Sequence, residues 1–564
     1  MRAALILIFA FGLFLAAKLF FWQIIQMDEL TTRGQGQLKY KMQVPARRGD
    51  IVTTDGALLA TDVYVYNVTA TPRDVRNRER VVPELARVLK QPAEQILAKL
   101  QGPVTTTVTL AQGISQPVAE QVQQLKEYYG VGGLSVEGAW ARRYPANAFA
   151  AHLIGYVNAQ RTAAWGIEQY KDLDLKGVDG EIRGTTNVYR NDAIPFDLPT
   201  GKPAVDGDRL TLTIHSGLQR IVETELATAV RDSRGTGGTV IVMHVKTGAV
   251  VAMASLPIAD LNAYSDLTNQ DKYANPAVNA QYEPGSVFKV ITLACALDAG
   301  TITAAMVYDD NGFINIGGRT IRNHDNLAPG RVTLTDVMRM SLNVEAVKMS
   351  VGLGADKFYQ CVRRFGFGAR TRVELAAEAV GNVKAVGDGQ WREVDLGTNS
   401  FGQGIAVTPL QMVTAISAVA NQGKLMRPQI VAAKHAPNGK TQPVEPELVR
   451  AAIRPETAQL VTRILTDAIL AESTNKAVVP GYHIAGKTGT AQIPVAGILD
   501  PRWTIASFVG YLPAEDPQYT ILVKIDKPQT SEWGSQIASP VFAAVAKQLV
   551  SMTGVPAENS RVMK

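Results

Sequence analysis

The chain has 564 residues, of which 46% are hydrophobic and 19% charged, and its formal net charge is +6. This composition excludes a disordered chain, a collagen-like fibre and a coiled coil, and the length predicts about two to four domains. The basic excess is spread along the chain, so nucleic-acid binding does not follow from it, although the charge is compatible with affinity for an anionic lipid or polymer. Two cysteines and six scattered histidines exclude a disulfide framework and a cysteine-based zinc site, so we predict neither a metal nor a cofactor.

An apolar segment at the amino terminus is long enough to cross a membrane. Residues 3–25 are interrupted only by Lys18 and Gln23. A helix of that length spans about 34 Å, which exceeds the roughly 30 Å of a hydrocarbon core. We predict an uncleaved anchor at residues 1–26, with a cleaved signal peptide as the alternative. Charge does not indicate which side of the membrane holds the rest of the chain, because three basic residues follow the segment: Arg33, Lys39 and Lys41.

The region after the anchor mixes strand and helix patterns. Residues 64–69 read as a strand, and residues 92–100 carry apolar side chains at helical spacing. Proline, glycine and aspartate concentrate in residues 192–208, which predicts an interdomain linker. We therefore expect a first domain at residues 27–200.

The rest of the chain has strand patterns at both ends and helical patterns between them, which predicts an α/β or α+β domain. We place this domain at residues 205–552 and a tail at 553–564. Residues 239–255 read as a hairpin whose turn contains Lys246-Thr247-Gly248. The other predicted strands are residues 210–214, 482–492, 505–512 and 519–525, and the last predicted helix is 539–552.

A candidate nucleophile lies at the start of a predicted buried helix. Pro284 and Gly285 precede Ser286, and Lys289 follows one turn later on the same face. A serine hydroxyl needs a base, and a desolvated lysine near other cations can have its pKa lowered enough to act as one. The amino terminus of the helix would favour the negative charge that develops during attack.

The two cysteines are Cys295, in this same predicted helix, and Cys361. We expect two isolated buried thiols, with a disulfide in an oxidising compartment as the alternative.

Two short motifs each occur twice, so neither is specific alone. The second S-x-x-K, Ser473-Thr474-Asn475-Lys476, is followed by residues that break a helix, and it reads as a polar turn. The first K-T-G lies in the hairpin turn described above. The second, Lys487-Thr488-Gly489, follows a strand pattern, where its glycine would let a ligand approach the backbone closely.

The order of three motifs carries the functional signal. Ser286-x-x-Lys289, Ser341-Leu342-Asn343 and Lys487-Thr488-Gly489-Thr490 form the trio found in penicillin-binding proteins and serine β-lactamases. From about residue 40 to 550 the chain resembles the high-molecular-weight class B penicillin-binding proteins. The further segments that carry this resemblance are Arg48-Gly49-Asp50-Ile51, Arg143-Tyr144-Pro145, Gly166-Ile167-Glu168, Tyr282-Glu283-Pro284-Gly285, Ser400-Phe401-Gly402-Gln403-Gly404 and Ser507-Phe508-Val509-Gly510.

This resemblance implies catalytic roles. Ser286 would attack the carbonyl between the two terminal D-alanines of a peptidoglycan stem peptide, and Lys289 would be the base. Ser341, helped by Lys487, would relay the proton to the leaving D-alanine. Asn343 would hold the donor's amide and orient Lys289.

The resemblance also implies a binding site for the substrate's terminal carboxylate. Thr488 and Thr490 would donate hydroxyl hydrogen bonds, Gly489 would allow close approach, and Lys487 would supply positive charge. The backbone N–H groups of Ser286 and Thr490 would form the oxyanion hole.

The architecture implied by the family is a single transmembrane helix, an elongated pedestal domain of the dimerisation type, and a transpeptidase domain of serine β-lactamase-like fold with a central sheet flanked by helices. The implied location is the plasma membrane, with the catalytic domain outside the cytoplasm. The implied partners are stem peptides, β-lactams, a multi-spanning SEDS-type glycan polymerase and division proteins.

Within the family, Ser341-Leu342-Asn343-Val344 and the Ser400–Gly404 segment (SFGQG) resemble the division-type (FtsI-like) septal enzyme. The elongation-type relative is the alternative. Two other functional classes remain as rivals: a β-lactamase or β-lactam sensor that uses the same trio, and a non-catalytic scaffold for division. The chain departs from the family pattern at His215, where aspartate is usual, and at Arg372, where glycine is common.

Overall fold

The computed structural model describes residues 2–30, 39–101, 106–185, 200–384, 386–472, 476–495 and 498–557. The chain forms two compact units, and each unit is built from several separate segments. The first holds Met1–Arg48, Val65–Trp140 and Lys176–Gly207, and the second holds Gly49–Tyr64, Ala141–Leu175 and Asp208–Lys564. The boundaries predicted above are contiguous and stay a prediction.

The amino-terminal segment is helical over its whole predicted length. An α-helix at Arg2–Phe20 continues as a π-helical turn at Phe21–Ile25. The most apolar 18-residue stretch of Arg2–Ile25 has a mean hydropathy of 2.5, and no side chain of the segment is buried within the protein. By length and composition this helix can cross a membrane, and a signal sequence would have the same properties.

In the first unit, three helices pack on antiparallel strands around an aliphatic core that includes Val68, Val81, Leu85 and Val122. The predicted helix is present at Ala93–Leu100, and the other two span Arg78–Leu89 and Gln116–Tyr128. A separate three-stranded antiparallel sheet has the strand order Lys39–Val44, Gly180–Thr185, Thr200–Lys202.

The predicted linker at residues 192–208 is only partly described, because residues 192–199 lie outside the described ranges. Its next residues, Thr200–Lys202, form a paired strand, and Val205 exchanges backbone hydrogen bonds with Val178. The boundary between the two units falls between Gly207 and Asp208, inside this segment, and the linker assignment stays a prediction. Exposed, polar backbone groups find partners in the neighbouring strand, which a composition rule does not detect.

The second unit is built on a five-stranded antiparallel sheet. The predicted hairpin is confirmed: Gly237–His244 pairs with Val250–Leu256, and Lys246-Thr247-Gly248 lies in the connection. The strand order is Val250–Leu256, Gly237–His244, Tyr519–Asp526, Ile498–Leu512, Ala485–Val495. The Ala485–Val495 strand therefore forms one edge of the sheet.

Helices cover both faces of this sheet. On one face, Ser216–Ser233 and Gly534–Thr553 pack over Val240, Phe508 and Val523. The second of these helices begins five residues before the predicted 539–552, and Pro540 is accommodated inside it. On the other face lies Pro409–Ala420, a helix with every side chain buried.

The predicted strand at residues 210–214 is present at Arg209–Leu212.

The remaining elements complete the two units. The other helices are Ala151–Ile154, Gly166–Tyr170, Asp172–Leu175, Pro276–Asn279, Lys289–Asp298, Leu334–Arg339, Asn343–Leu353, Ala355–Arg364, Glu393–Ser400 and Pro455–Ala471. The other strands are Ile51–Val52, Leu58–Ala70, Val108–Ile114, Leu134–Arg143, Tyr156–Val157, Ala163–Ala164, Val307–Asp310, Phe313–Ile316, Arg319–Arg322, Gly330–Thr333, Lys424–Met426, Val431–His435, Thr441–Pro443 and Leu448–Ala451.

The expectation of two isolated thiols is wrong, because Cys295 and Cys361 form a disulfide. The helices Lys289–Asp298 and Ala355–Arg364 pack together, and the two Cα atoms lie 5.9 Å apart, which is within bonding reach. The sequence separation of 66 residues hides this proximity.

Removing this disulfide should destabilise the protein without removing its chemistry. The bond closes a loop of 66 residues, and the chain-entropy model assigns such a loop about 4 kcal/mol. We expect the Cys295→Ala/Cys361→Ala variant to lose up to that amount of its free energy of unfolding, measured by urea denaturation under oxidising conditions. The reduced wild-type protein is the control and should unfold at the same urea concentration as the variant. A variant as stable as the oxidised wild-type protein would contradict the prediction.

Candidate active site

Ser286 begins the buried helix as predicted. A single 3-10 turn at Gly285–Phe288 leads directly into the α-helix Lys289–Asp298. The turn is pressed against two other segments, each of which contributes a glycine. A Cβ on Gly402 would lie 2.3 Å from the carbonyl oxygen of Gly285, and one on Gly489 would lie 2.9 Å from Val287 Cγ1. These two glycines let the backbone approach the serine closely.

Lys289 contacts all the other catalytic candidates except Lys487. Its Nζ lies 3.1 Å from Ser286 Oγ, 2.5 Å from the carbonyl oxygen of Ser341, 3.1 Å from Ser341 Oγ and 2.8 Å from Asn343 Oδ1. The residue is only 2% exposed. Burial, together with the positive charge of Lys487, holds the pKa of Lys289 well below its usual value. This shift favours the neutral amine, which is the form that can accept the proton of Ser286.

Ser341 adopts a backbone conformation that is rare for its residue type. Its φ is +55°, in the left-handed region, which costs of order 1–3 kcal/mol and clusters at functional sites. In this conformation both the carbonyl and the hydroxyl oxygen of Ser341 reach Lys289. The chain thus places the hydroxyl of Ser341 beside the amine of Lys289.

Asn343 is the first residue of the helix Asn343–Leu353. Its Oδ1 accepts from Lys289, while its Nδ2 donates to the carbonyl oxygen of Arg322 at 3.1 Å. These two contacts fix the orientation of the amide. One Nδ2 hydrogen remains for a substrate.

The edge strand Ala485–Val495 carries the second K-T-G. Lys487 is buried, and its Nζ donates to the backbone carbonyl of Thr488 at 3.1 Å. Burial lowers the pKa of Lys487 to about 8, although the carboxylate of Glu472 opposes the shift. At neutral pH most molecules therefore retain the positive charge.

The hydroxyl oxygen of Thr490 already accepts one hydrogen bond, while its O–H group can still donate one. Its Oγ1 accepts from the backbone N–H of Gly534 at 3.3 Å. Thr488 and Thr490 both line a cleft of about 560 Å³ that also contains Ser286. The structure thus brings all eight predicted site residues into the same region.

The cleft includes residues that sequence reasoning missed. The rings of His324 and Trp533 meet edge to face with centroids 5.8 Å apart. Burial lowers the pKa of His324, with Asp325 opposing the shift and the two buried lysines, Lys289 and Lys487, adding to it. No motif marks these residues, because they lie in loops whose meeting depends on tertiary structure. Phe401 and Gln403, from the SFGQG segment, also line the cleft, and the other newly identified lining residues are Asp325, Arg339, Met340, Glu472, Gln492, Thr504, Glu532 and Ser535.

The first K-T-G does not belong to this site. In the first K-T-G, Thr247 hydrogen-bonds to His244 Nδ1 at 3.0 Å and serves the hairpin turn. Ser473, Thr474 and Asn475 of the second S-x-x-K lie outside the described residues. A cavity of about 690 Å³ near Val245 and Lys246 is larger than the cleft but contains none of the eight residues. The site is therefore identified by its reactive side chains and not by the volume of its cavity.

Comparisons with known proteins agree with this geometry. Residues 238–547 match the penicillin binding protein transpeptidase domain, and residues 43–212 match the penicillin-binding protein dimerisation domain. The chain is 29% identical to stage V sporulation protein D of Bacillus subtilis, covering 100% of this chain and 88% of the relative. It is 27% identical to the peptidoglycan D,D-transpeptidase FtsI homolog of Mesostigma viride, covering 98% and 95%.

A solved structure gives the same result for the fold. Penicillin binding protein 3 of Mycobacterium tuberculosis, complexed with aztreonam, superposes with a TM-score of 0.70 at 26% identity, covering 92% of this chain and 98% of the other. The predicted fold class is therefore confirmed.

Proposed function

The chain belongs to the class B penicillin-binding proteins and is a peptidoglycan D,D-transpeptidase, and we propose that it forms crosslinks through an acyl-enzyme on Ser286. The observation that carries this assignment is the contact between the Ser286 hydroxyl and the buried amine of Lys289. The assignment is tested by labelling the protein with a fluorescent penicillin and mapping the modified residue by peptide mass spectrometry.

The first half-reaction forms the ester. Ser286 Oγ attacks the carbonyl carbon of the penultimate D-alanine while neutral Lys289 takes the hydroxyl proton. The N–H groups of Ser286 and Thr490 would stabilise the oxyanion. Ser341, in contact with Lys289, passes a proton to the leaving nitrogen, the C–N bond breaks, and D-alanine departs.

The second half-reaction transfers the acyl group. An amine of a neighbouring stem peptide attacks the ester carbonyl and loses a proton. The bond between the carbonyl carbon and Ser286 Oγ then breaks, and Oγ takes up a proton to restore the hydroxyl. A β-lactamase would instead need a water positioned and activated against the ester. The match to the dimerisation domain, which a hydrolase of diffusing drugs does not need, supports the transpeptidase.

Recognition of the substrate's carboxylate gives a testable expectation. Thr490→Val keeps the shape of the side chain but removes the hydroxyl. A hydrogen bond to a charged group contributes about 1.5–3 kcal/mol, so acylation by carboxylate-bearing β-lactams should slow about 10- to 150-fold. The measurement is the second-order acylation rate, and Thr247→Val, in the other K-T-G, is the matched control that should acylate normally. Equal slowing for a β-lactam without a carboxylate would contradict the assignment.

The catalytic unit lies outside the cytoplasm in this proposal, anchored in the plasma membrane by Arg2–Ile25. The disulfide between Cys295 and Cys361 supports this placement, because disulfides persist in oxidising compartments and are rare in the cytosol. A reporter that works only in the cytoplasm should be inactive when fused to the carboxyl terminus. An active reporter would overturn the topology.

Work at the division septum is the more specific part of the proposal. Ser341-Leu342-Asn343-Val344 and the SFGQG segment support it, and one relative is named an FtsI homolog. The partners would be a SEDS-type glycan polymerase and division proteins. A fluorescent fusion should concentrate at midcell before constriction. Uniform label along the side wall would favour the elongation-type alternative.

A further inference from the structure

Asn323, a buried residue outside the three motifs, links Asn343 to the carboxylate of Asp310. Asn323 is 2% exposed, and its Nδ2 donates to both oxygens of Asp310, at 3.0 and 3.1 Å. The same Nδ2 lies 3.3 Å from the carbonyl oxygen of Leu327. Its Oδ1 accepts from the backbone N–H groups of Asn343 and Val344, at 2.9 and 3.2 Å.

These contacts supply the hydrogen-bond acceptor that the amino terminus of the helix Asn343–Leu353 lacks. The residue before the helix Asn343–Leu353 is Leu342, whose side chain cannot accept a hydrogen bond from the first turn. Asn323 caps the helix from another part of the chain. Its neighbour Arg322 accepts from Asn343 Nδ2. The end of one short strand therefore holds both the backbone and the side chain of Asn343.

Asp310 determines which way the Asn323 amide faces. Its carboxylate is fully buried and also accepts from the backbone N–H of Gly312 at 2.7 Å. A carboxylate accepts hydrogen bonds and cannot donate them, so the NH₂ of Asn323 must face Asp310 and its oxygen must face the helix. We propose that Asn323, oriented by Asp310, is a positioning residue that places Asn343 Oδ1 against Lys289 and so sets the rate of acylation of Ser286.

This inference rests on the proposed roles of Ser286 and Lys289. Its test exchanges the two side chains. Asn323→Asp puts two carboxylates in contact in a buried site, whereas Asp310→Asn/Asn323→Asp restores one donor and one acceptor set in reversed positions. Displacement of a catalytic group by about 1 Å can cost about 100-fold, so we expect the Asn323→Asp acylation rate to fall on the order of 10- to 100-fold. The double variant should recover to within about threefold of the wild-type rate.

A second readout separates positioning from simple destabilisation. Asn343 Oδ1 stabilises the protonated form of Lys289, so its displacement should move the midpoint of the acylation pH profile to lower pH, and the exchange should restore it. Asp55→Ala is the matched control. Asp55 also caps a helix from a distance, by accepting from the N–H of Ser216 at 2.9 Å, but it lies outside the cleft. It should lower the unfolding temperature without changing the pH midpoint.

Three results would overturn the inference: wild-type acylation by Asn323→Asp, failure of the folded double variant to recover, or an unchanged pH midpoint in a folded Asn323→Asp protein. Should Asn323→Asp not fold, the double variant and Asp310→Asn decide the matter. Only the double variant keeps one partner that must accept, so it should acylate within about threefold of wild type, whereas Asp310→Asn no longer fixes the direction of the Asn323 amide and should acylate more slowly. Wild-type acylation by Asp310→Asn would contradict the inference. Penicillin mapping on the wild-type protein tests the Ser286 assignment separately.

Discussion

Replacement of Ser286 by alanine should abolish covalent labelling by penicillin and leave the protein folded. The hydroxyl supplies the nucleophile, because Ser286 lies in the first turn of the buried helix with its Oγ 3.1 Å from the amine of Lys289. Lys289 keeps its contacts with Ser341 and Asn343 in the variant, so the buried amine is not left without partners. Loss of one hydroxyl at the start of a helix costs at most about 2 kcal/mol.

The measurement compares fluorescent penicillin labelling with thermal unfolding of the same samples. Ser473→Ala, which alters the serine of the duplicate S-x-x-K, is the control and should label as wild type does. Persistent labelling of the Ser286→Ala protein would show that the wrong serine was chosen.

The second large effect is expected at Lys289. The two test variants are Lys289→Arg and Lys289→Met. Arginine keeps a positive charge but cannot be deprotonated in a protein, and the methionine side chain has no basic group. A positioned base contributes about 10²- to 10⁴-fold, so both variants should slow acylation by that factor. Lys476→Arg, at the exposed lysine of the duplicate S-x-x-K, is the matched control and should acylate normally.

The wild-type pH profile checks the same assignment. Only neutral Lys289 can accept the proton of Ser286, so the acylation rate should rise with pH as the amine deprotonates. Burial and the charge of Lys487 hold the pKa of Lys289 well below its usual value. The rate should therefore level off well below pH 10.5, the ordinary pKa of a lysine side chain. A rate that continued to rise through that pH would indicate that Lys289 titrates normally and is not the base.

The local patterns in the sequence predicted the elements that carry chemistry. The apolar spacing after Ser286 gave a buried helix with Lys289 one turn on, and the structure has this arrangement. The hairpin around Lys246-Thr247-Gly248 was also correct, because its strands are close in sequence. Such features depend on neighbouring residues, and periodicity detects them.

The features that the sequence did not reveal depend on long-range packing. The Cys295–Cys361 bond joins helices that are far apart in the chain. Asn323 and Trp533 reach the site from loops without a recognisable motif. The left-handed conformation of Ser341 also has no sequence signal, since serine there is held in place by its surroundings and not by its own preference.

The central claim is that Ser286 carries the acyl group between a D-alanine-terminated donor and an amine acceptor. The most direct test incubates the protein with a donor peptide ending in D-Ala-D-Ala and an amine acceptor, quenches the reaction, and analyses protein and products by mass spectrometry. The account predicts an acyl adduct on the Ser286 peptide and one D-alanine released for each crosslinked product, with neither formed by Ser286→Ala. Crosslinked product from the Ser286→Ala protein, or hydrolysed donor without crosslinks from wild type, would contradict it.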